Sequence, residues 1–275
     1  MNRTRKKGVL LIVCFLISMV SILPIIWAIL TSFKTYIETQ AFPLNIFAKS
    51  PNFNNYIKLF TSHTSVLKPL MNSFFVSMMT TIMVLVLAIP AAYSLARFKT
   101  KSTQKIQMWI IGLRMTPLIS VLLPYYILFS KIGLTNNRWG LIILYVMSNV
   151  TFAVWLLTVF FEGLPVEVEE AARVDGLSYF SVLRKMVIPL AANSILIIAA
   201  FVFIFSWNEL IFAMNLTGTE TQTLPVILST YASDVSVQYQ MMTATQIIQI
   251  IPVAVITLLI QKNILTGLSF GAVKG

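Results

Sequence analysis

Few residues in this sequence could do chemistry, and five of its nine acidic residues cluster in one place. The stretch from Glu162 to Pro189 carries Glu167, Glu169, Glu170, Arg173, Asp175, Arg184 and Lys185 between long apolar segments. Elsewhere, Arg114 and Glu209 fall inside apolar runs, where a charge costs about 2.5–3.5 kcal/mol even on the lenient insertion scale and therefore marks a candidate functional position. Neutral polar residues recur at helical spacing: Ser73, Ser77, Thr80 and Thr81 share one face, Thr243, Gln246 and Gln249 follow at three-residue intervals, and Asn208 adjoins Glu209. Interhelical hydrogen bonding explains such stripes as readily as contact with a polar solute. His63 is the only histidine and Cys14 the only cysteine, which leaves no Cys/His metal cluster and no internal disulfide. With no nucleophile–base pair visible and no Gly-x-x-x-x-Gly-Lys-Ser/Thr loop, neither a membrane-embedded enzyme nor a nucleotide-hydrolysing chain is indicated.

The elements that must hold these residues follow from composition. The 275 residues are 57% hydrophobic and 11% charged, with a mean hydropathy of +0.84, against roughly 25% charged in an ordinary soluble domain. Six apolar runs, Gly8 to Phe33, Leu70 to Ala96, Ile106 to Ser130, Trp139 to Phe161, Leu190 to Met214 and Met241 to Ile260, approach or exceed the ~20 residues a helix needs to cross a bilayer. Barrel strands would be ~10-residue alternating segments, so the expectation is an all-α polytopic membrane protein with six transmembrane helices. The first run follows Arg3, Arg5, Lys6 and Lys7 but is too long for a signal h-region, and reads as an uncleaved anchor. The formal charge of +11 would suit nucleic acid only on a soluble basic face, which this chain lacks.

Lys and Arg placement orients the spans. With the amino terminus inside, thirteen of the twenty fall on cytoplasmic segments and six outside, which predicts both termini cytoplasmic. The outer loop from Lys34 to Pro69 then reads as an ordered cap, because Phe42, Phe47, Phe53, Tyr56 and Phe60 give it something to pack.

The charged stretch becomes a cytoplasmic hairpin of two short helices. Pro165 suits a first helical position, and Glu167, Glu169 and Glu170 complement the dipole of the helix that follows. Gly176 is the natural left-handed stop, Ser178 the next N-cap, and Phe180, Leu183 and Val187 form a stripe before Pro189 turns the chain back. Ala171 and Ala172 allow close backbone approach. A rigid knob of this kind fits a cleft in a partner whose movement must reach the transmembrane helices; a solvated loop helix without a partner is the plainer alternative.

The run Glu170-Ala171-Ala172-Arg173-Val174-Asp175-Gly176, followed after nine residues by Met186-Val187-Ile188-Pro189, closely resembles the EAA loop of binding-protein-dependent ABC importer permeases. Met186 and Ile188 stand where that pattern has Ile and Leu. Asn54-Asn55-Tyr56-Ile57-Lys58-Leu59-Phe60, Trp207-Asn208-Glu209, Thr223-Leu224-Pro225 and the end from Leu265-Thr266-Gly267-Leu268 through Gly271-Ala272-Val273-Lys274-Gly275 are similar to the carbohydrate-uptake branch, in particular the second, six-span permease of maltose-type systems.

The resemblance implies a type I ABC importer permease fold in a prokaryotic cytoplasmic membrane. It divides the chain into an amino-terminal tail, first helix and outer loop (1–69), a permease core (70–262) and a cytoplasmic tail (263–275). Implied partners are a second homologous permease, a cytoplasmic ATP-binding subunit dimer that holds ATP and Mg, an extracytoplasmic solute-binding protein and a sugar substrate, with no cofactor in this chain. By carry-over, Glu169, Glu170, Ala171, Ala172, Asp175, Gly176, Phe180 and Pro189 would couple to the ATPase, and the Gly267 to Gly275 tail would reach it. A sugar path combining amides, hydroxyls and aromatic faces would draw on Ser77, Asn208, Glu209, Gln246, Gln249 and Arg114. The rivals are a permease for another solute, such as glycerol phosphate or a polyamine, and a secondary transporter, for which Glu209 is the only intramembrane acid.

Overall fold

Prolines alone do not decide which apolar runs become continuous helices. The computed structural model describes residues 3–43, 45–62, 65–232 and 236–272. Helices α1 (Arg3–Ser32), α4 (Leu67–Arg97) and α14 (Tyr239–Ala272) run unbroken past Pro24, Pro90 and Pro252 respectively. Pro117 behaves differently, with its backbone extended at ψ 130, so the third apolar run becomes α5 (Lys101–Arg114) and α6 (Leu118–Lys131) rather than one span. A proline also disfavours the helical region for the residue before it, here Thr116. Fourteen residues in each of these helices reach only about 21 Å, short of the ~30 Å hydrocarbon core.

Span five is broken as well. Helix α11 (Ala192–Trp207) ends at Asn208, and α12 (Ile211–Leu216) follows after a short non-helical stretch. Among the described residues four helices are long and apolar enough to cross a membrane, Leu10–Ser32, Leu67–Arg97, Arg138–Glu162 (α7) and Tyr239–Gln261. A fifth crossing is available if Tyr179–Leu190 and Ala192–Trp207, bent by 81°, act together. The sixfold count is thus approached by helices broken at defined residues, and no strand forms among the described residues; the one β-bridge pairs Ala232 with Val237.

Two compact units divide the chain. The first comprises Met1–Leu67 and Ile227–Pro252. Here α2 (Tyr36–Gln40) and α3 (Asn54–Thr61) build the outer cap on the end of α1. The buried Asn55 donates to the carbonyls of Ser32 (2.7 Å) and Lys34 (2.8 Å), Ser32 and Tyr56 hydroxyls meet at 2.8 Å, and Phe33 packs between Phe53 and Tyr56. The expected aromatic packing is therefore only partly realised. Phe42, Phe47 and Phe60 face outward, and the cap is held by Asn55 and the fully buried Leu59 instead. Short polar links to carbonyls left open at a helix end do the holding that aromatic area alone does not.

The second unit comprises Lys68–Val226 and Val253–Gly275. Helix α7 lies at its centre, packed against α5, α11 and α12. The core runs through Ala88, Ala92, Leu144, Tyr145, Leu157, Phe161, Val182 and Val187. The polar face of α4 points inward as expected: Ser73, Ser77, Thr80 and Thr81 are all buried. Ser73 accepts from the Leu224 N–H at 2.7 Å, and Asn72 donates to the carbonyls of Glu220 and Gln222, so the Thr223-Leu224-Pro225 segment, with α13 (Leu224–Thr230) starting inside it, is pinned to α4. A Lys68–Glu220 ion pair adds to the same link.

One glycine marks a close approach. A Cβ on Gly140 would stand 2.1 Å from the Leu134 carbonyl oxygen, a backbone atom. Gly140→Ala is expected to force the loop off the start of α7 and lower stability by about 1–3 kcal/mol, the usual scale of overpacking. Thermal unfolding of the detergent-solubilised variant checks this.

Candidate coupling hairpin and pathway cavity

The hairpin is built as its residues dictate. Helix α8 (Val166–Val174) starts after Pro165, which serves as the N-cap residue rather than the first helical one, and carries Glu167 and Glu169 in its first turn. Gly176 sits at φ +88°, the left-handed region that favours glycine, and the Leu177 N–H bonds back to the Ala172 carbonyl at 3.1 Å. Ser178 caps α9 (Tyr179–Val182) by accepting from the Ser181 N–H at 3.3 Å. A π turn over Leu183–Val187 then leads into α10 (Ile188–Leu190), and the chain bends at Ala191 into α11.

An inward face fixes this hairpin to α4. Glu169 is 4% exposed. One carboxylate oxygen accepts from Arg97 Nε (2.9 Å) and Nη2 (2.6 Å), and the other from the Tyr93 hydroxyl at 2.9 Å. Two N–H donors and a phenol thus satisfy a carboxylate that burial would otherwise disfavour. Ala172 is buried beside it in the core. Arg173 lies 3.9 Å over the Tyr179 ring, and Phe98 meets the same ring edge-on at 5.2 Å, closing the two short helices together.

The outward face carries most of the other residues singled out from sequence. Glu170, Ala171, Asp175, Gly176, Phe180 and Pro189 are exposed, with Phe180 at 71%, and Val174 is 88% exposed. The expected Phe180–Leu183–Val187 stripe is split: Leu183 and Val187 are buried while Phe180 points away. The segment from Leu183 to Val187 is a π turn, closed by the Ile188 N–H on the Leu183 carbonyl. Tyr93 and Arg97 were not singled out from sequence. Their i, i+4 spacing at the end of the second apolar run, opposite an acid-rich hairpin, was the available signal.

A second feature gathers polar groups within the second unit. A cavity of about 260 Å³ is lined by Tyr145, Ser148, Asn149, Ile204, Phe205, Asn208 and Glu209. The break in span five contributes Asn208 and Glu209 to its lining. Glu209 accepts from the Phe212 (3.0 Å) and Ala213 (3.2 Å) N–H groups, so its carboxylate caps α12, and Tyr145 donates its hydroxyl to the same carboxylate at 2.7 Å. Asn149 and Asn208 each donate one N–H to the carbonyl four residues earlier, at 2.8 and 2.9 Å. Asn208 and Glu209 were expected from sequence; Tyr145 and Asn149 were not. Their signal was a tyrosine and an amide four residues apart in an apolar run.

The remaining residues are more dispersed. Ser77 is buried in α4, with no hydrogen-bond partner for its hydroxyl among the described residues, and does not line the cavity. Gln246 and Gln249 lie half-buried on α14 within the first unit. Arg114 closes α5, and its side chain lies outside the described residues, as do His63 and the side chains of the Gly267 to Gly275 tail.

Long apolar helices with a charged two-helix hairpin define an all-helical, multi-pass membrane protein. The chain belongs to the family of binding-protein-dependent transport system inner membrane components, whose model matches residues 84–269. It is 30% identical to the sulfoquinovosyl glycerol transport system permease protein SmoH of Agrobacterium fabrum, over 92% of this chain and 88% of that protein. It is 32% identical to the trehalose transport system permease protein SugB of Mycobacterium tuberculosis, over 93% of each. A chain of a bacterial ABC transporter involved in the import of the acidic polysaccharide alginate shares the fold, with a TM-score of 0.78 at 21% identity, over 95% of this chain and 98% of that one. This chain is accordingly a permease subunit of an ABC importer and not its ATPase.

Proposed function

We propose that this chain forms half of the translocation pathway of an ATP-driven importer for a sugar or oligosaccharide, alternating between outward- and inward-facing states. The observation that carries the reading is the two-sided hairpin: one face locked into α4 through Glu169, the other presenting Glu170, Asp175 and Phe180 to whatever docks there. A knob rigidly continuous with a transmembrane helix transmits force. Saccharide as the solute is supported by relatives named for sulfoquinovosyl glycerol and trehalose, and by the amide, hydroxyl and aromatic lining of the Asn208 cavity. The partners in this reading are a second permease of the same family, two copies of a cytoplasmic ATPase that binds ATP and Mg, and an extracytoplasmic solute-binding protein. The chain then lies in the cytoplasmic membrane of a prokaryote with both termini inside, as the Lys and Arg distribution supports.

The test is reconstitution in vesicles with the cognate ATPase and binding protein. Sugar-loaded binding protein is expected to stimulate ATP hydrolysis and drive uptake. Glu170→Lys, which reverses a charge on the exposed face, and Gly176→Pro, whose ring cannot adopt φ +88°, are expected to insert normally, keep ATP hydrolysis and lose uptake. Undiminished uptake by both variants, or solute uptake without the ATPase, would overturn the reading.

A further inference from the structure

A larger cavity, of about 480 Å³, lies in the first unit, apart from both sites above. It is lined by Trp27 and Thr31 from the end of α1, by Lys34 two residues beyond that helix, and by Tyr239 and Thr243 from the start of α14. Lys34 is 2% exposed. Its ammonium donates to the Asn45 carbonyl at 2.6 Å and sits 4.9 Å from the Trp27 ring centroid. Neither neighbour is an anion, and among the described residues no carboxylate lies within ion-pair distance of it. An ammonium has three N–H donors, and buried charges are ordinarily paired.

Thr31 gives an independent sign. It is 6% exposed, and its hydroxyl has no hydrogen-bond partner among the described residues. The Lys34 N–H bonds to the Thr31 carbonyl at 3.1 Å, so the helical turn continues and both side chains share a side of it. A buried cation with no anion beside it and an unmatched hydroxyl, three residues apart and both lining the same space, are the complement of an oxyanion.

The surroundings specify what bears that oxyanion. The space falls within the ~300–1,000 Å³ range of small-molecule sites and is too large for a bare ion. Part of its lining is apolar, from Trp27, Ala41 and Met242. It opens where the Leu10–Ser32 apolar span ends, beside Trp27 and Tyr239, residue types that favour the membrane–water interface. We propose that the cavity binds an anionic phosphodiester on a glycerol-type headgroup, with Lys34 supplying the charge and Thr31 a hydrogen bond. A membrane phospholipid or a soluble glycerophosphodiester carries this same chemistry.

The assembled transporter, purified in detergent and stripped of lipid, is titrated with short-chain phosphatidylglycerol, with phosphatidylcholine as the headgroup control and glycerophosphoglycerol as the soluble arm. Bound molecules are counted by native mass spectrometry. Saturable binding of phosphatidylglycerol over phosphatidylcholine is expected, weakened at least about tenfold by Lys34→Gln and severalfold by Thr31→Val. Thr31→Val changes only the hydroxyl and carries the test if Lys34→Gln fails to fold. Binding confined to phosphatidylglycerol assigns the site to the bilayer, and equal competition by glycerophosphoglycerol assigns it to a soluble ligand; either supports an anion site. Equal retention of phosphatidylglycerol and phosphatidylcholine, or wild-type affinity in the folded variants, overturns it.

Discussion

Replacing Arg97 with methionine is expected to remove about 3–5 kcal/mol of stability, the scale for breaking one partner out of a buried ion pair, and to separate ATP hydrolysis from uptake. The Arg97 and Glu169 side chains are 10% and 6% exposed, so solvent does little to screen the charge left behind. Arg97→Met leaves the Glu169 carboxylate with one donor, Tyr93, and the hairpin loses its stiffest link to α4. Hydrophobic replacement of both charges, Arg97→Met with Glu169→Leu, is expected to recover most of the stability, because a packed apolar pair often matches a buried ionic one. If the clamp transmits force, the double variant also recovers uptake per ATP hydrolysed, whereas the single variant hydrolyses with little uptake. An Arg97→Met protein that melts early yet moves solute at the wild-type ratio would reduce the clamp to a structural role.

This clamp also shows where sequence reading stops. The hairpin's turn and second cap were legible, whereas its apolar stripe and its π turn were not. Gly176 at its left-handed stop and Ser178 at its cap are short-range effects of backbone geometry, and the structure has both. The clamp is not short-range: Tyr93 and Glu169 are 76 residues apart, and no periodicity pairs them. Span breaks fall between these cases. Pro117 splits the third run while Pro24, Pro90 and Pro252 sit inside unbroken helices, so proline marks where a break is permitted and tertiary packing selects where it occurs. The break at Asn208–Glu209 contains no proline at all. Polar residues in an apolar run looked like pathway candidates, and one of them carries the capping geometry that supports a second helix start.

That dual identity of Glu209 yields the second large effect. Glu209→Leu leaves two N–H groups at the start of α12 without their acceptor and the buried Tyr145 hydroxyl without its short contact. Loss of the cap costs about 0.5–2 kcal/mol, and the hydroxyl keeps only its 3.4 Å contact with the Glu209 carbonyl, which costs up to about 1–3 kcal/mol. Glu209→Gln keeps one acceptor oxygen and the same shape, and Tyr145→Phe removes the donor that needs it, so both are expected to lose only a fraction of this. If Glu209 works by shaping the wall of the cavity, the uptake of all three variants follows their thermal stability, and the concentration of sugar-loaded binding protein giving half-maximal stimulation stays constant. If instead the carboxylate touches the solute, Glu209→Gln shifts that concentration with stability intact, and Tyr145→Phe does not. The two roles separate because a cap needs an oxygen acceptor at the helix start, which glutamine supplies, whereas a charged contact with the solute needs the carboxylate itself.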